Sequence, residues 1–400
     1  MPTPWDKILL ERPINAVTIP AMVEKTKNMR IPERVRAARR IVIKVGSALL
    51  LDDAGAVNTS WLMALAEDIT ALKSGDADVA IVSSGAIGLG RQLLGLERRL
   101  KLEEKQAAAA AGQSLLMEAW QSALAPHALT AAQILLTLND TEHRRRYLNA
   151  RETIETLIGL GAIPIVNEND TIATDEIRYG DNDRLAAHVA QMCGADLLVM
   201  LSDIDGLYDR DPRIDDTAKH IPVVIDINAD VEAMAGGPNA QRGAGSGGMA
   251  TKIAAAKIAA ASGCAAIVAK GNIDHPLSAL QKDLRCTLFP PKQAQEKARR
   301  NWIAGRLKPR GAIQIDNGAA IALRNGASLL SAGVVQVEGA FEKGDAVAIN
   351  GPDGALVAQG LCAYDSRELA TIVGLKSEEI EDVLGYVRAA VVHRNDMALA

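Results

Sequence analysis

Asn167 to Asp183 reads NENDTIATDEIRYGDND and follows directly on the apolar run Ile163-Pro164-Ile165-Val166. In this stretch six carboxylates and three asparagines surround one arginine, and the residues after it, LAAHVAQM, read as a helix. A polar loop that leaves a buried strand and enters a helix sits where open α/β sheets hold their ligands. Such a loop can grip a cationic, polar small molecule and order metal-phosphate chemistry. The plainer reading of the same residues is a solvated turn with Asn182 or Asp183 as helix N-cap.

Working outward, strand, glycine turn and helix alternate. Ile41 to Val45 is a strand that breaks at Gly46-Ser47, and Thr59 to Lys73 has helical periodicity after a Ser/Thr cap. Val79 to Val82 is a strand that runs into SSGAIGLG and a helix through Leu94. Ile163 to Val166, Leu197 to Leu201 and Ala265 to Val268 add short apolar strands at helix-length intervals. This predicts an α/β fold, an open and mostly parallel sheet sandwiched by helices with right-handed crossovers. The composition agrees: 48% of the 400 residues are apolar but only 3% aromatic, as suits small-residue helices covering a parallel sheet.

The texture changes after Phe289. Pro290-Pro291 leads into KQAQEKARRN, a charged connector of helical character, and beyond Lys308 come short alternating runs with glycine turns, GAIQIDNGAA, AGVVQVEGAF and DAVAINGPDGALVAQG. They predict a small, β-rich, barrel-like domain, followed by a helix over Ser377 to Val387. The expected divisions are an N-terminal extension over 1–37, a catalytic domain over 38–290, a linker over 291–307, the β-rich domain over 308–390 and a tail over 391–400.

Several classes of function are disfavoured. A net charge of −5 gives no general nucleic-acid footprint, and Lys308 to Gly360 holds four basic against five acidic residues. The four cysteines, Cys193, Cys264, Cys286 and Cys362, are too far apart for a zinc knuckle or a disulfide framework, which fits a reducing cytoplasm. The six histidines are scattered, so none is assigned to a metal. No apolar run reaches the roughly 18 residues that suggest a membrane span. The first forty residues hold nine basic and four acidic residues; Asp6, Glu11, Glu24 and Glu33 argue against a transit peptide, and an extension with Met29 as alternative start is expected.

Four loops are candidates for the chemistry. Lys44-Val45-Gly46-Ser47 puts a lysine at a strand end, beside a glycine that lets backbone N–H groups approach an anion. Ser83-Ser84-Gly85-Ala86-Ile87-Gly88 sets hydroxyls at a helix N-terminus, either as an anion seat or as a capped tight turn. Leu201-Ser202-Asp203 with Asp205-Gly206-Leu207-Tyr208 is a nucleotide loop or an ordinary one. Gly243 to Lys252, GAGSGGMATK, is a glycine loop with a terminal lysine, suited to closing over phosphates. It also matches GxGxxG, but no strand precedes it directly and Val268-Ala269-Lys270 offers no acid to hold a ribose, so a nicotinamide site is disfavoured. Neither a Walker A sequence nor a protein-kinase catalytic loop is present.

Taken together, KVGSALL, SSGAIGLG, VNENDTIAT, GDND, LSDIDGLY and SGGMATK resemble the amino acid kinase family, and in particular its members that phosphorylate glutamate, over roughly Ile41 to Met397. The C-terminal segment resembles a PUA domain, which implies an RNA-binding role as the alternative, against which its balance of basic and acidic residues speaks. The resemblance implies ATP with Mg²⁺, with Lys44 and Lys252 on the phosphates and Ser202 and Asp203 lining the nucleotide site. It extends the nucleotide site through Ser246, Gly247, Gly248, Met249, Ala250 and Thr251. It gives glutamate to Ser84, Asp170 and Asn182, and has Asp183 orient the two lysines. Ser246 and Ala250 stand where Thr and Ser are common, which leaves the loop's role intact. Sister kinases acting on N-acetylglutamate, aspartate, carbamate or UMP would share the glycine loops but not the combination of NEND, GDND and a PUA-like tail.

The residue types suit that reaction. A γ-carboxylate with an ordinary pKa of about 4.3 is already an anionic nucleophile, so no general base is needed. What is needed is positive charge to bring two anions together and to balance charge moving toward the leaving oxygen. The family further implies L-glutamate 5-phosphate as product, the first step of proline biosynthesis, and hand-over to a glutamate-5-semialdehyde dehydrogenase (glutamyl phosphate reductase). It implies a homo-oligomer, dimer or tetramer, and inhibition by proline. Asp140, in the charged segment NDTEHRRRYLN, and Glu176 are expected to tune competition between proline and glutamate; a solvated helix face accounts for that segment equally well.

Overall fold

The computed structural model describes residues 31–52, 54–97, 99–173, 181–235, 248–293, 308–388 and 390–400, the side chains of Asp181 and Asn395 excepted. The segment before Ile31, most of the expected connector, Glu176, Ser246 and Gly247 lie outside these residues.

The first unit opens with α1 (Ile31–Ala37), β1 (Arg40–Val45), α2 (Ser47–Leu50), α3 (Thr59–Ser74), β2 (Asp78–Ser83), α4 (Ala86–Leu93) and α5 (Leu102–Leu124). Then come β3 (Ala131–Leu136), α6 (Leu138–Glu142), α7 (Arg144–Gly159), β4 (Ile163–Glu168), α8 (Asp181–Met192) and β5 (Leu197–Ser202). A small hairpin, β6 (Leu207–Tyr208) and β7 (His220–Ile221), leads to α9 (Ala229–Met234), α10 (Met249–Ala261), β8 (Ala265–Lys270), α11 (Pro276–Leu280) and β9 (Cys286–Phe289).

The large sheet has the order β3-β4-β2-β1-β5-β8-β9, parallel throughout except for β9. Its central strands are buried on both faces, which is why they read as unbroken apolar runs. Ile41, Ile43 and Val45 face the core built with Trp61, Leu65 and Trp120, while Val42 faces Leu185, Val189 and Ala256 on the other side. Successive side chains of one strand thus anchor the two helical layers, α3 and α5 on one face and α7, α8 and α10 on the other. The chain leaves β1 toward β2 on one flank and meets β5 on the other, so the carboxyl end of β1 is a switch point where a crevice opens.

Two glycines fix the crossing of α4 on α5. A Cβ on Gly90 would lie 1.7 Å from the Ala108 carbonyl oxygen, and one on Gly112 would lie 1.9 Å from that of Ala86. Backbone therefore packs on backbone, and any side chain would force the helices apart. Gly85, at φ +123°, makes the sharp entry from Ser84 into α4, a conformation with little strain only for glycine.

The second unit comprises β10 (Gly311–Ile315), α12 (Asn317–Arg324), β11 (Val334–Gly339), β12 (Ala346–Asn350), β13 (Leu356–Leu361), α13 (Ser366–Thr371), α14 (Ser377–Leu384) and β14 (Met397–Leu399). Its sheet runs β11-β10-β12-β13-β14 around a separate core that includes Ile313, Val347, Tyr364 and Val392. This unit docks on α7. Leu148 of α7 is buried with Ala346 and Leu361, and Arg151 forms a two-pronged buried ion pair with Asp396. Around that centre Arg388 pairs with Glu152, Lys343 donates to Asn149 at 2.8 Å, and Arg144 lies 3.4 Å from Asp345.

Three local expectations need correction. The cap of α3 is Asn58, whose side chain accepts from the Trp61 N–H, rather than a Ser or Thr. The last helix stops at Leu384, because Gly385 adopts the left-handed conformation that ends helices. Two strands, β3 and β9, join the sheet at its edges without having been expected.

Candidate active site

Lys44 is the penultimate residue of β1, Asp183 lies in the first turn of α8, and Lys252 in the first turn of α10. The strand order brings these three distant residues to one point. Lys44 Nζ is 2.7 Å from Asp183 Oδ1, and Lys252 Nζ is 3.4 Å from Asp183 Oδ2. The Thr251 hydroxyl donates to the same Oδ2 at 2.7 Å. Asp183 is 0% exposed. Burial alone would push its carboxyl up, yet the two ammonium groups hold it below the ordinary carboxylate range. Lys252 goes the other way: burial and the facing Lys44 charge lower its pKa against the pull of Asp183. The cluster of two cations and one anion carries a net charge of +1, at the amino end of a 13-residue helix. That is a seat for an anion.

Asn182 and Asp183 are not the N-cap of α8, which starts at Asp181; both belong to its first turn. Beside the cluster runs a chain of amides. Asn182 Nδ2 donates to Ser84 Oγ at 2.7 Å and to Asn167 Oδ1 at 3.0 Å, and Asn167 Nδ2 donates to Gln113 Oε1 at 2.9 Å. The ends of this chain, Asn182 Oδ1 and Gln113 Nε2, are buried and have no partner among the described residues. One is an acceptor and the other a donor, matching the ammonium and carboxylate of an amino acid. Asp170 is buried in the turn after β4, three residues beyond Asn167 of that strand.

Ser202 ends β5 and donates to Asp203 Oδ1 at 3.0 Å, and Asp203 lies within electrostatic reach of Lys252. The Ser202 carbonyl accepts from the Gly271 N–H at 2.6 Å, and a Cβ on Gly271 would lie 2.8 Å from that of Leu201. Gly248 caps α10 in extended geometry, so Met249, Ala250, Thr251 and Lys252 form the first helical turn rather than a free loop. Asp140 is committed elsewhere. It closes a capping box with Thr137 and pairs with Arg146 at 2.9 Å, and it sits below the ordinary carboxylate value, the bonds from Thr137 and Arg146 outweighing its burial.

Sequence reading missed Gln113. Its signal was a polar residue inside the Ala-rich run AAAAAGQSLL, next to the glycine of the helix crossing. Trp120 was missed as well; its Nε1 donates to Ser83 Oγ at 2.9 Å and steadies the strand end that leads to Ser84.

A carboxylate shared by two lysines at the switch point of a parallel sheet, beside a chain of buried amides, describes a carboxyl or phosphoryl kinase site. A model of the amino acid kinase family matches residues 39–270, and one of the PUA domain matches 311–384. The chain therefore belongs to the amino acid kinase family, in its glutamate 5-kinase branch. "Glutamate 5-kinase" of Caulobacter vibrioides is 56% identical over 366 residues, 91% of this chain and 97% of that protein. The protein of the same name from Agrobacterium fabrum is 57% identical over 362 residues, 90% and 92% of the two chains. That from a Ruegeria species is 55% identical over 365 residues, 90% and 98%.

Proposed function

We propose that this protein transfers the γ-phosphoryl group of ATP to the γ-carboxylate of L-glutamate, giving L-glutamate 5-phosphate at the head of proline biosynthesis. The observation that carries the reading is the Lys44–Asp183–Lys252 cluster with the chain of buried amides beside it. The glutamate carboxylate attacks the γ-phosphorus in line, the bond to the β–γ bridging oxygen breaks, and the electron pair leaves with ADP. Lys44 and Lys252 neutralise that shifting charge from fixed positions. Ser202 and Asp203 line the nucleotide site, with the Ser246 to Lys252 segment on its phosphates. Mg²⁺ comes with the nucleotide, as suits a small cation that keeps several waters and binds through phosphates. Among the described residues no group of three His, Cys, Asp or Glu side chains is arranged to cage a metal by itself.

Asp170 takes the substrate ammonium, while Ser84 and Asn182 hold its polar groups. The catalytic unit covers 38–290 together with α1 before it, and the PUA unit covers 308–390 together with β14 from the expected tail. Among the described residues no helix is long and apolar enough to cross a membrane, and four widely separated cysteines fit the cytoplasm. The product is a labile acyl phosphate, which favours a homo-oligomer handing it to a glutamyl phosphate reductase. Proline has the same α-carboxylate and a secondary ammonium, so it competes with glutamate through Asp170. Initial rates at several proline concentrations test this, and inhibition that high glutamate fails to relieve would count against a shared site.

The deciding assay supplies ATP, Mg²⁺ and a panel of acids, and traps the acyl phosphate with hydroxylamine. L-glutamate should yield hydroxamate and N-acetylglutamate, which lacks the ammonium, almost none. Faster turnover of the acetylated acid would overturn the reading.

A further inference from the structure

We infer that Thr251 is a positioning residue for the transfer: its hydroxyl shares Oδ2 of Asp183 with Lys252 and so weakens the hold of that carboxylate on the lysine. This rests on the kinase reading above, and it gives the Thr251 hydroxyl a role in addition to the place of its segment on the phosphates.

The geometry is asymmetric. Lys44 makes a short ion pair with Oδ1, at 2.7 Å, whereas Lys252 stands off at 3.4 Å from Oδ2. What lies close to Oδ2 is the Thr251 hydroxyl, at 2.7 Å. That hydroxyl has one hydrogen and two acceptors in reach, the second being the Gly248 carbonyl at 2.8 Å. The Gly248 carbonyl already receives the N–H groups of Thr251 at 3.1 Å and Lys252 at 3.4 Å, as a helix N-cap should provide. Asp183 Oδ2 carries formal charge and is buried, so the hydrogen goes to it; hydrogen bonds to ionised acceptors are roughly twice as strong as neutral ones.

The consequence concerns Lys252. A carboxylate oxygen satisfied by a neutral donor draws a cation less strongly than a bare one. Lys252 can then turn its charge toward a transferring phosphoryl group without first breaking a tight contact with Asp183. Remove the hydroxyl, and Oδ2 is left to Lys252 alone. Two opposite charges in a dry site then close up, and part of the preorganised field is spent inside the protein. Because the interaction matters only as charge moves, the effect belongs on kcat rather than on substrate binding.

The test is Thr251→Val, which keeps the shape and removes the donor, beside Thr251→Ser, which restores it. In the hydroxamate assay Thr251→Val should lose about tenfold in kcat, the scale of one hydrogen bond to a charged group, with both KM values within about twofold. Thr251→Ser should regain most of the loss, and thermal unfolding of both variants confirms that they fold. A valine variant with unchanged kcat, a serine variant as slow as valine, or a raised KM for ATP in place of a lower kcat would each overturn the inference. A wild-type protein that forms no hydroxamate from glutamate would instead sink the kinase reading itself.

Discussion

Two buried carboxylates, Asp183 and Asp396, have opposite kinds of partner. Asp396 meets the planar fork of Arg151 with both oxygens, so the charges cancel and two residues 245 positions apart in sequence join the units. Asp183 holds two flexible lysines, one at 2.7 Å and one at 3.4 Å, so one carboxylate faces two cations. Arginine gives a rigid bidentate contact, whereas lysine gives a point charge that can follow a moving anion. The first cluster is complete within the protein. The second sets two cations around one carboxylate, and a local imbalance of this kind marks a functional site.

The largest effects separate the two directly. Asp183→Asn should lower kcat by about 10²–10³-fold, the range for losing one preorganised electrostatic group, with a smaller change in KM for glutamate. Asp396→Asn should leave kcat within about threefold but destabilise the fold by roughly 3 kcal/mol, because it strands the buried Arg151 charge. Urea unfolding and steady-state kinetics on both variants check the contrast, and equal kinetic losses would erase it. Arg151→Met combined with Asp396→Leu should recover most of the lost stability, since replacing both partners of a buried pair by apolar groups is often neutral. Failure to recover would mean that the fork does more than join the units.

A smaller effect falls on the chain of amides. If Gln113 Nε2 completes substrate binding, Gln113→Ala should raise the KM for glutamate about tenfold and change kcat little, as one lost hydrogen bond to a charged group predicts. A fall in kcat at constant KM would instead tie Gln113 to the transferring charge.

How far the sequence could be read follows from where each residue's partners lie. The central strands were legible because burial on both faces leaves continuous apolar runs, as in RIVIKV and LLVMLS. The edge strand β3 was not: only three of its six residues are buried, without a regular period, and AAQILL between helices looks like part of either. Ser84, Asn182 and Asp183 stood out as polar residues just after apolar strands or at the start of a helix. Gln113 did not, because it reaches Asn167 only through the glycine crossing of α4 on α5. Asp396 was invisible for a simpler reason, since nothing local distinguishes it from a tail residue, and its partner is fixed only by how the second sheet docks on α7.

The smallest expected effect is a pH signature that the Arg151–Asp396 pair cannot give. Lys252 is held below the ordinary lysine value, chiefly by burial, with Lys44 adding to the shift and Asp183 opposing it. If its ammonium is required, kcat should decline on the alkaline side before an ordinary lysine would titrate. Stability should respond with the opposite sign. Between the folded pKa and the higher unfolded one, the unfolded chain binds more protons, so the Lys252 contribution to stability rises with pH while activity falls. Arginine does not titrate in this range, so Lys252→Arg, though slower, should lose the alkaline decline. Profiles of kcat and of thermal unfolding for the two proteins decide it. An alkaline limb at the ordinary lysine position, or one that survives in Lys252→Arg, would assign the titration to another group and remove this distinction between the two clusters.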